Sequence, residues 1–147
     1  MISEPLLGWR AVRVTQRRTA KDFAEVVRWL VEEVHPEAEK VVLVLDNLNT
    51  HKVASLDEAF PPEQARRLVE RLEIHHTPKQ GSWLNVAEIE LSVLSRQCLD
   101  RRIDDRATRE REVSAWEEDR NERGVEVRWQ FTTADARIKL RRLYPSL

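Results

Sequence analysis

Asp46 stands directly after five consecutive apolar residues, Val41–Leu45, and opens a short polar run that holds Asn47, Asn49, Thr50 and His51. An unbroken Val/Leu run of that length predicts a strand buried on both faces, as inner strands of parallel or mixed sheets are. A carboxylate at the carboxyl end of such a strand lies where open α/β sheets bind their ligands. It equally suits a turn or a helix cap, through hydrogen bonds to nearby backbone, and this stretch leaves both readings open. A second acid, Glu88, falls early in Ser82–Leu99, SWLNVAEIELSVLSRQCL. There Leu84, Ala87, Leu91, Leu94 and Cys98 recur at intervals of three and four, one helical stripe. At about 100° per residue, Glu88 lies on the flank of that stripe beside Leu84, with Ser92 and Ser95 further along it. Glu90 projects from the opposite flank, so the two acids are expected to do different jobs. Asn85 with Glu88 also has the spacing of a helix cap and its partner, and a carboxylate in the first turn gains from the helix dipole.

If both acids face one sheet edge, they offer hard oxygen ligands to Mg²⁺ or Mn²⁺. Two such ions about 3.5–4 Å apart can activate a water or a 3′-hydroxyl and stabilise the leaving oxygen of a phosphodiester. That chemistry needs neither Cys nor His. Cys98 is the sole cysteine, which excludes an internal disulfide and a Cys-rich zinc site. His75 and His76 are adjacent in a predicted strand over Glu73–Thr77, point to opposite faces and read as structural. A pair of acids is a weak signal by itself, because 35% of the 147 residues are charged.

The elements that must position these groups alternate as in an α/β layer. Trp9–Thr15 reads as a short strand toward a sheet edge. Thr19 and Asp22 have capping-box spacing and open a helix carrying Phe23, Val26, Val27, Leu30, Val31 and Val34 inward, stopped by His35-Pro36. A short helix ends near Phe60. Pro62 suits the first position of another helix, which buries Ala65, Leu68, Val69 and Leu72 and turns Arg66, Arg67 and Arg71 to solvent. Pro78, Gln80 and Gly81 form a turn before the Glu88 helix. Asp104–Glu122 is nearly all charged, apart from Val113, Ala115 and Trp116, and reads as a solvated helix ended by Gly124. Val125, Val127, Trp129 and Phe131 alternate as an extended segment, and Thr132 with Asp135 caps a last helix. That helix holds the densest basic cluster, Arg137, Lys139, Arg141 and Arg142. A solvated face is its default explanation and contact with a phosphate backbone the sharper one.

Basic and acidic residues nearly cancel, 25 against 26, whereas a free-standing nucleic-acid-binding module is normally distinctly basic. No apolar run approaches membrane-spanning length and the start lacks the layout of a signal peptide. The expectation is a soluble, cytoplasmic protein with no membrane partner.

LDNLNTH, followed at a distance by TPKQGSWLNVAEIELSVLSRQ, resembles DDE transposases of the mariner-like superfamily, in particular the bacterial insertion-sequence branch. The closing WQFTTADARIKLRRLYP is similar to the tail of those proteins. The resemblance implies an RNase H-like catalytic core, a mixed sheet flanked by helices, in which three acids hold two Mg²⁺ ions for DNA cleavage and strand transfer. Its second acid, in a D-N-x-x-x-H setting, falls on Asp46, with Asn47 and His51. Its third, in a P-x-x-x-x-x-L-N-x-x-E pattern, falls on Glu88, with Pro78, Leu84 and Asn85. Asn47, His51 and Asn85 are expected to steady the ions or the nearby backbone. The family's first acid lies on the leading strand, and none of the seven acids before Asp46 matches it: Glu4 precedes the first clear strand, and the rest lie on the first helix or its exit. Residues 1–147 are therefore expected to be an N-terminally truncated part of the catalytic domain, inactive alone and binding an ion weakly at most. Transposon-end DNA is the implied partner. An alternative is a non-catalytic regulator that associates with a full-length transposase or with its own copies. A phospho-accepting receiver module lacks its acidic pair and Lys, and an α/β domain without a site is the third rival.

Overall fold

The computed structural model describes residues 1–77, 86–126 and 137–138. Their elements are β1 (Ile2–Glu4), β2 (Trp9–Ala11), α1 (Ala20–Trp29), β3 (Val41–Leu45), α2 (Ala54–Ala59), α3 (Pro62–Glu70), β4 (Leu72–His76), α4 (Val86–Gln97) and α5 (Arg106–Glu122). The build is mixed α/β, small sheets flanked by helices. The chain divides into two units, Thr15–Lys79 and Met1–Val14 with Gln80–Leu147. Predicted features at Pro78–Asn85, at 127–136 and at 139–147 lie outside the described residues.

In the unit Thr15–Lys79, the Thr19–Asp22 capping box forms as its spacing predicts. Thr19 Oγ1 accepts from Asp22 N, and Asp22 Oδ2 accepts from Thr19 N at 2.8 Å. The helix then widens into a π-helical turn, Leu30–Val34, closed by His35 N donating to Leu30 O at 2.9 Å. Ala24, Val27, Leu30 and Val31 are its buried face. Pro62 begins α3 at a position whose missing N–H would have had no helical partner. Ala24, Val27 and Val31 meet Leu56 of α2, Ala65 and Leu68 of α3, and Leu72 in one core cluster. Each fully buried Val or Leu there stabilises the unit by about 1.5–3 kcal/mol.

β3 and β4 pair in parallel, from Val41 opposite Leu72 to Leu45 opposite His76. The strand and its parallel partner follow the sequence; burial on both faces does not. Val42 and Val44 are 58% and 62% exposed, whereas Leu43 and Ile74 pack against the core. The sheet has two described strands, and the core cluster uses one of its faces, which leaves Val42, Val44, Glu73 and His75 on the other. Arg71 departs from expectation too. Its guanidinium donates to the carbonyls of His35, Pro36 and Ala38 at 2.7, 2.9 and 2.6 Å, fastening the exit of the first helix.

In the other unit, β1 and β2 form an antiparallel pair, Ile2 opposite Ala11. Glu4, expected ahead of the first strand, is the last residue of β1. Polar side chains of α5 satisfy the backbone of the β2 segment: Asn121 accepts from Arg10 N and donates to Arg10 O, and Glu117 accepts from Val12 N. The helix read as solvated thus has one face built into the unit. Gly124, at φ +55°, ends it. Gly8, at φ +63°, lies so close to Gly124 that a Cβ would come within 2.7 Å of the Gly124 carbonyl carbon.

Of the predicted stripe, Leu94 is buried and Ala87 and Cys98 are half-buried, but Leu91 is 46% exposed, and α4 buries Glu90 in addition. Glu90 is 3% exposed, and Arg10, 1% exposed, and Arg120 converge on it. Arg10 Nε lies 3.0 Å from Oε2, and Arg120 Nη2 lies 3.0 Å from Oε1. Arg10 Nη2 also donates to Val125 O. Burial pushes the Arg10 guanidinium below its ordinary value, opposed by Glu90 and reinforced by Arg120. A carboxylate between two guanidiniums is a neutralised, hydrogen-bonded group, which is the condition for burying it.

Candidate active site

Asp46 ends β3, and the loop after it is held from several sides. Its Oδ1 accepts from Leu48 N at 3.3 Å and lies 2.5 Å from His51 Nδ1. The bond from Leu48 N is the local turn contact that one of the two readings of Asp46 expects. Among the described residues both contacts fall on Oδ1 and none on Oδ2. Asn47 Nδ2 donates to Thr77 O at 2.6 Å, and Thr77 N donates to Leu45 O at 2.9 Å. The loop is thereby tied to the end of the neighbouring strand. Buried Ser55 donates from Oγ to Thr50 O at 2.9 Å, anchoring the loop to α2. The ring of Phe23 stacks on His51 at 4.8 Å between centroids and 29° between planes.

Of the predicted residues, the structure brings together Asp46, Asn47 and His51. Phe23, Ser55 and Thr77 were not singled out for this loop, although Phe23 sits in the first turn of a helix expected to pack on the sheet. Asp46 and His51 are each about one-quarter exposed at the side chain, 28% and 24%, open enough for a ligand and shielded enough to hold a fixed geometry.

Glu88 lies in the first turn of α4 and is exposed, not at a buried margin. The buried face of α4 is turned toward Glu90, which displaces Glu88 and Leu91 outward. The two acids differ in placement, Glu90 buried between two arginines and Glu88 exposed. Asn85 lies outside the described residues, as do Lys139, Arg141 and Arg142; Arg137 is described and exposed. His75 pairs with Glu73 at 2.7 Å on an exposed surface.

Among the described residues no group of three or more His, Cys, Asp or Glu is placed to hold a metal ion. The donors that Asp46 and Glu88 offer are hard carboxylate oxygens, which suit Mg²⁺ or Mn²⁺ in kind. Elsewhere, an open groove of about 660 Å³ is lined by residues that include Arg96, Cys98, Arg101, Glu112 and Trp116, and by none of the predicted site residues. Arg101 and Glu112 pair there at 2.6 Å. Burial pushes the Cys98 thiol above its ordinary value, with Glu112 adding to the effect and Arg101 opposing it. That leaves it a poor nucleophile. No described helix is long and apolar enough to cross a membrane.

Small sheets flanked by helices, with an acid ending a parallel strand, make a mixed α/β arrangement compatible with a DDE/RNase H-like domain. Comparison with protein families matches residues 4–109 to the DDE superfamily endonuclease family. The match spans most of the chain, and the chain belongs to that family. Searches of curated proteins and of solved structures each find no match. Endonucleases of this superfamily are generally divalent-metal dependent and act on DNA.

Proposed function

We propose that this chain carries two of the carboxylates of a transposase centre for metal-dependent DNA cleavage and strand transfer, Asp46 and Glu88. The transposase is of the mariner-like, bacterial insertion-sequence kind. The observation that carries the reading is the fixed Asp46 loop. His51 and the Leu48 amide hold Oδ1, Asn47 ties the backbone to Thr77, and among the described residues Oδ2 is left to ligate. Glu88 reaches solvent from the first turn of α4. Divalent ions, when bound, supply activation of a water or 3′-hydroxyl and stabilisation of the leaving oxygen. Asp46 and Glu88 hold them, His51 and Asn47 orient Asp46, and Asn85 steadies the ions or the nearby backbone. Arg137, Lys139, Arg141 and Arg142 contribute contacts to the DNA backbone.

A set of this kind needs a third carboxylate, so residues 1–147 act as part of a catalytic domain, and the pair alone does not cleave or join DNA. The test is incubation of purified chain with Mn²⁺ and end-bearing DNA. We expect intact DNA; nicking that disappears in Asp46→Ala contradicts the proposed incompleteness.

A further inference from the structure

Most of the described arginines are already engaged. Arg10, Arg28, Arg101, Arg102, Arg106, Arg120 and Arg123 pair with carboxylates, and Arg71 is bound to carbonyls. Arg17, Arg18, Lys21 and Lys52 differ. All four are exposed, and among the described residues none of them has an ion-pair partner. All four lie in the unit Thr15–Lys79. They are unpaired cations in a chain whose charges nearly cancel overall.

Its location follows from contacts already described. Phe23, in the first turn of α1, stacks on His51, which pairs with Asp46. Arg17 and Arg18 immediately precede the helix cap Thr19, six and five residues before Phe23. Thr15 Oγ1 donates to Arg17 O at 2.6 Å and fixes the chain's entry there. Lys21, two residues before Phe23, lies on a different side of α1, whereas Lys52 follows His51 directly. The entry to α1 and the far end of the Asp46 loop therefore bring free cations to the surroundings of one carboxylate. Long side chains left unpaired on an exposed surface give up little on meeting a phosphate, since no existing ion pair has to break.

We infer that Arg17, Arg18 and Lys52 form a phosphate-binding rim that holds a DNA strand beside Asp46. The inference rests on the DNA-processing reading of that carboxylate and adds the residues that bring the strand to it. Arg66 and Arg67, exposed on α3, are cations of the same kind without that location, and so serve as the control.

The test is binding of a short DNA duplex to the full chain, followed by fluorescence anisotropy across a KCl series. Each phosphate contact contributes about 0.9 to the slope of log K against log salt. Arg17→Gln with Arg18→Gln should flatten the slope by about 2, and Lys52→Gln by about 1. Arg66→Gln with Arg67→Gln should leave it unchanged. A slope insensitive to Arg17, Arg18 and Lys52, an equal effect of Arg66 and Arg67, or no DNA binding at low salt each overturns the rim. Mn²⁺ binding that depends on Asp46, measured on the same Arg17/Arg18 variant, separates the two ideas. If it persists while the slope is unchanged, only the rim fails; if wild-type chain lacks it, the reading of Asp46 fails.

Discussion

His51 Nδ1 lies 2.5 Å from Oδ1 of Asp46, and the imidazole is itself stacked on Phe23. The carboxylate is thus oriented by a ring whose own position is set by a helix. Groups that orient a ligating side chain in this way typically change metal affinity 10–100-fold when removed. We expect His51→Ala to weaken Mn²⁺ binding by at least about tenfold, and Phe23→Ala to weaken it in the same direction through His51. Calorimetric Mn²⁺ titration checks this, and unchanged affinity in both variants would show that Asp46 needs no such support.

Glu90 and Glu88 should respond oppositely to truncation. Glu90→Ala leaves Arg10 buried beside Arg120 with no counter-charge, a change that costs about 3–5 kcal/mol. Glu88→Ala removes an exposed side chain and should stay within about 0.5 kcal/mol of wild type. Urea denaturation distinguishes them. Similar midpoints for the two variants would contradict the buried triad.

The acid limb of the stability curve should report the helix caps. Hydrogen bonds from Thr19 hold the Asp22 carboxyl below its ordinary value, and bonds from Thr108 do the same for Asp105. A carboxylate lowered on folding contributes stability that is present above its unfolded value, 3.8, and is lost as pH falls through the folded one. Asp22→Asn and Asp105→Asn should therefore lower stability at neutral pH and converge with wild type in acid. Thr19→Ala, which removes the cap itself, should cost about 1 kcal/mol at neutral pH. A deficit in Asp22→Asn that persists undiminished at low pH would argue against the capping box as its cause.

The one-sided sheet gives a further contrast. Val44→Thr, on the exposed face of β3, should move stability by no more than about 0.5 kcal/mol. Leu68→Ala, in the core beneath the other face, should cost about 2–5 kcal/mol. A large loss from Val44→Thr in thermal unfolding would mean that this face is covered in solution.

These contrasts also mark what could be read from residues alone. Thr19 with Asp22, Pro62 before α3 and Gly124 after α5 were legible because each depends on neighbours a few residues away. The strand before Asp46 was legible from its apolar run, but that run carries no information on how many faces are covered. Val42 and Val44 look the same in sequence whether a second layer packs on them or not. α4 was misjudged for a related reason. Helical periodicity counts a carboxylate as outward, and the two arginines that allow Glu90 inward come from the N-terminal strand β2 and from α5. Arg71 was read as solvated because its acceptors, carbonyls at the exit of the first helix, have no side-chain signature. At the site, Asp46, Asn47 and His51 were legible as a local motif. Phe23 and Thr77 were not, since what they touch is decided by helix packing and strand pairing.

The central proposal, carried by the family membership and the two motifs, is that Asp46 and Glu88 share a divalent ion. Its most direct test is paramagnetic broadening of backbone amide signals during an Mn²⁺ titration of the whole chain. We predict that signals of 46–48 and of 87–89 broaden together at the same Mn²⁺ concentration, and that Asp46→Ala or Glu88→Ala abolishes both effects. Broadening confined to one stretch, or broadening at 46–48 that is untouched in Glu88→Ala, contradicts the claim.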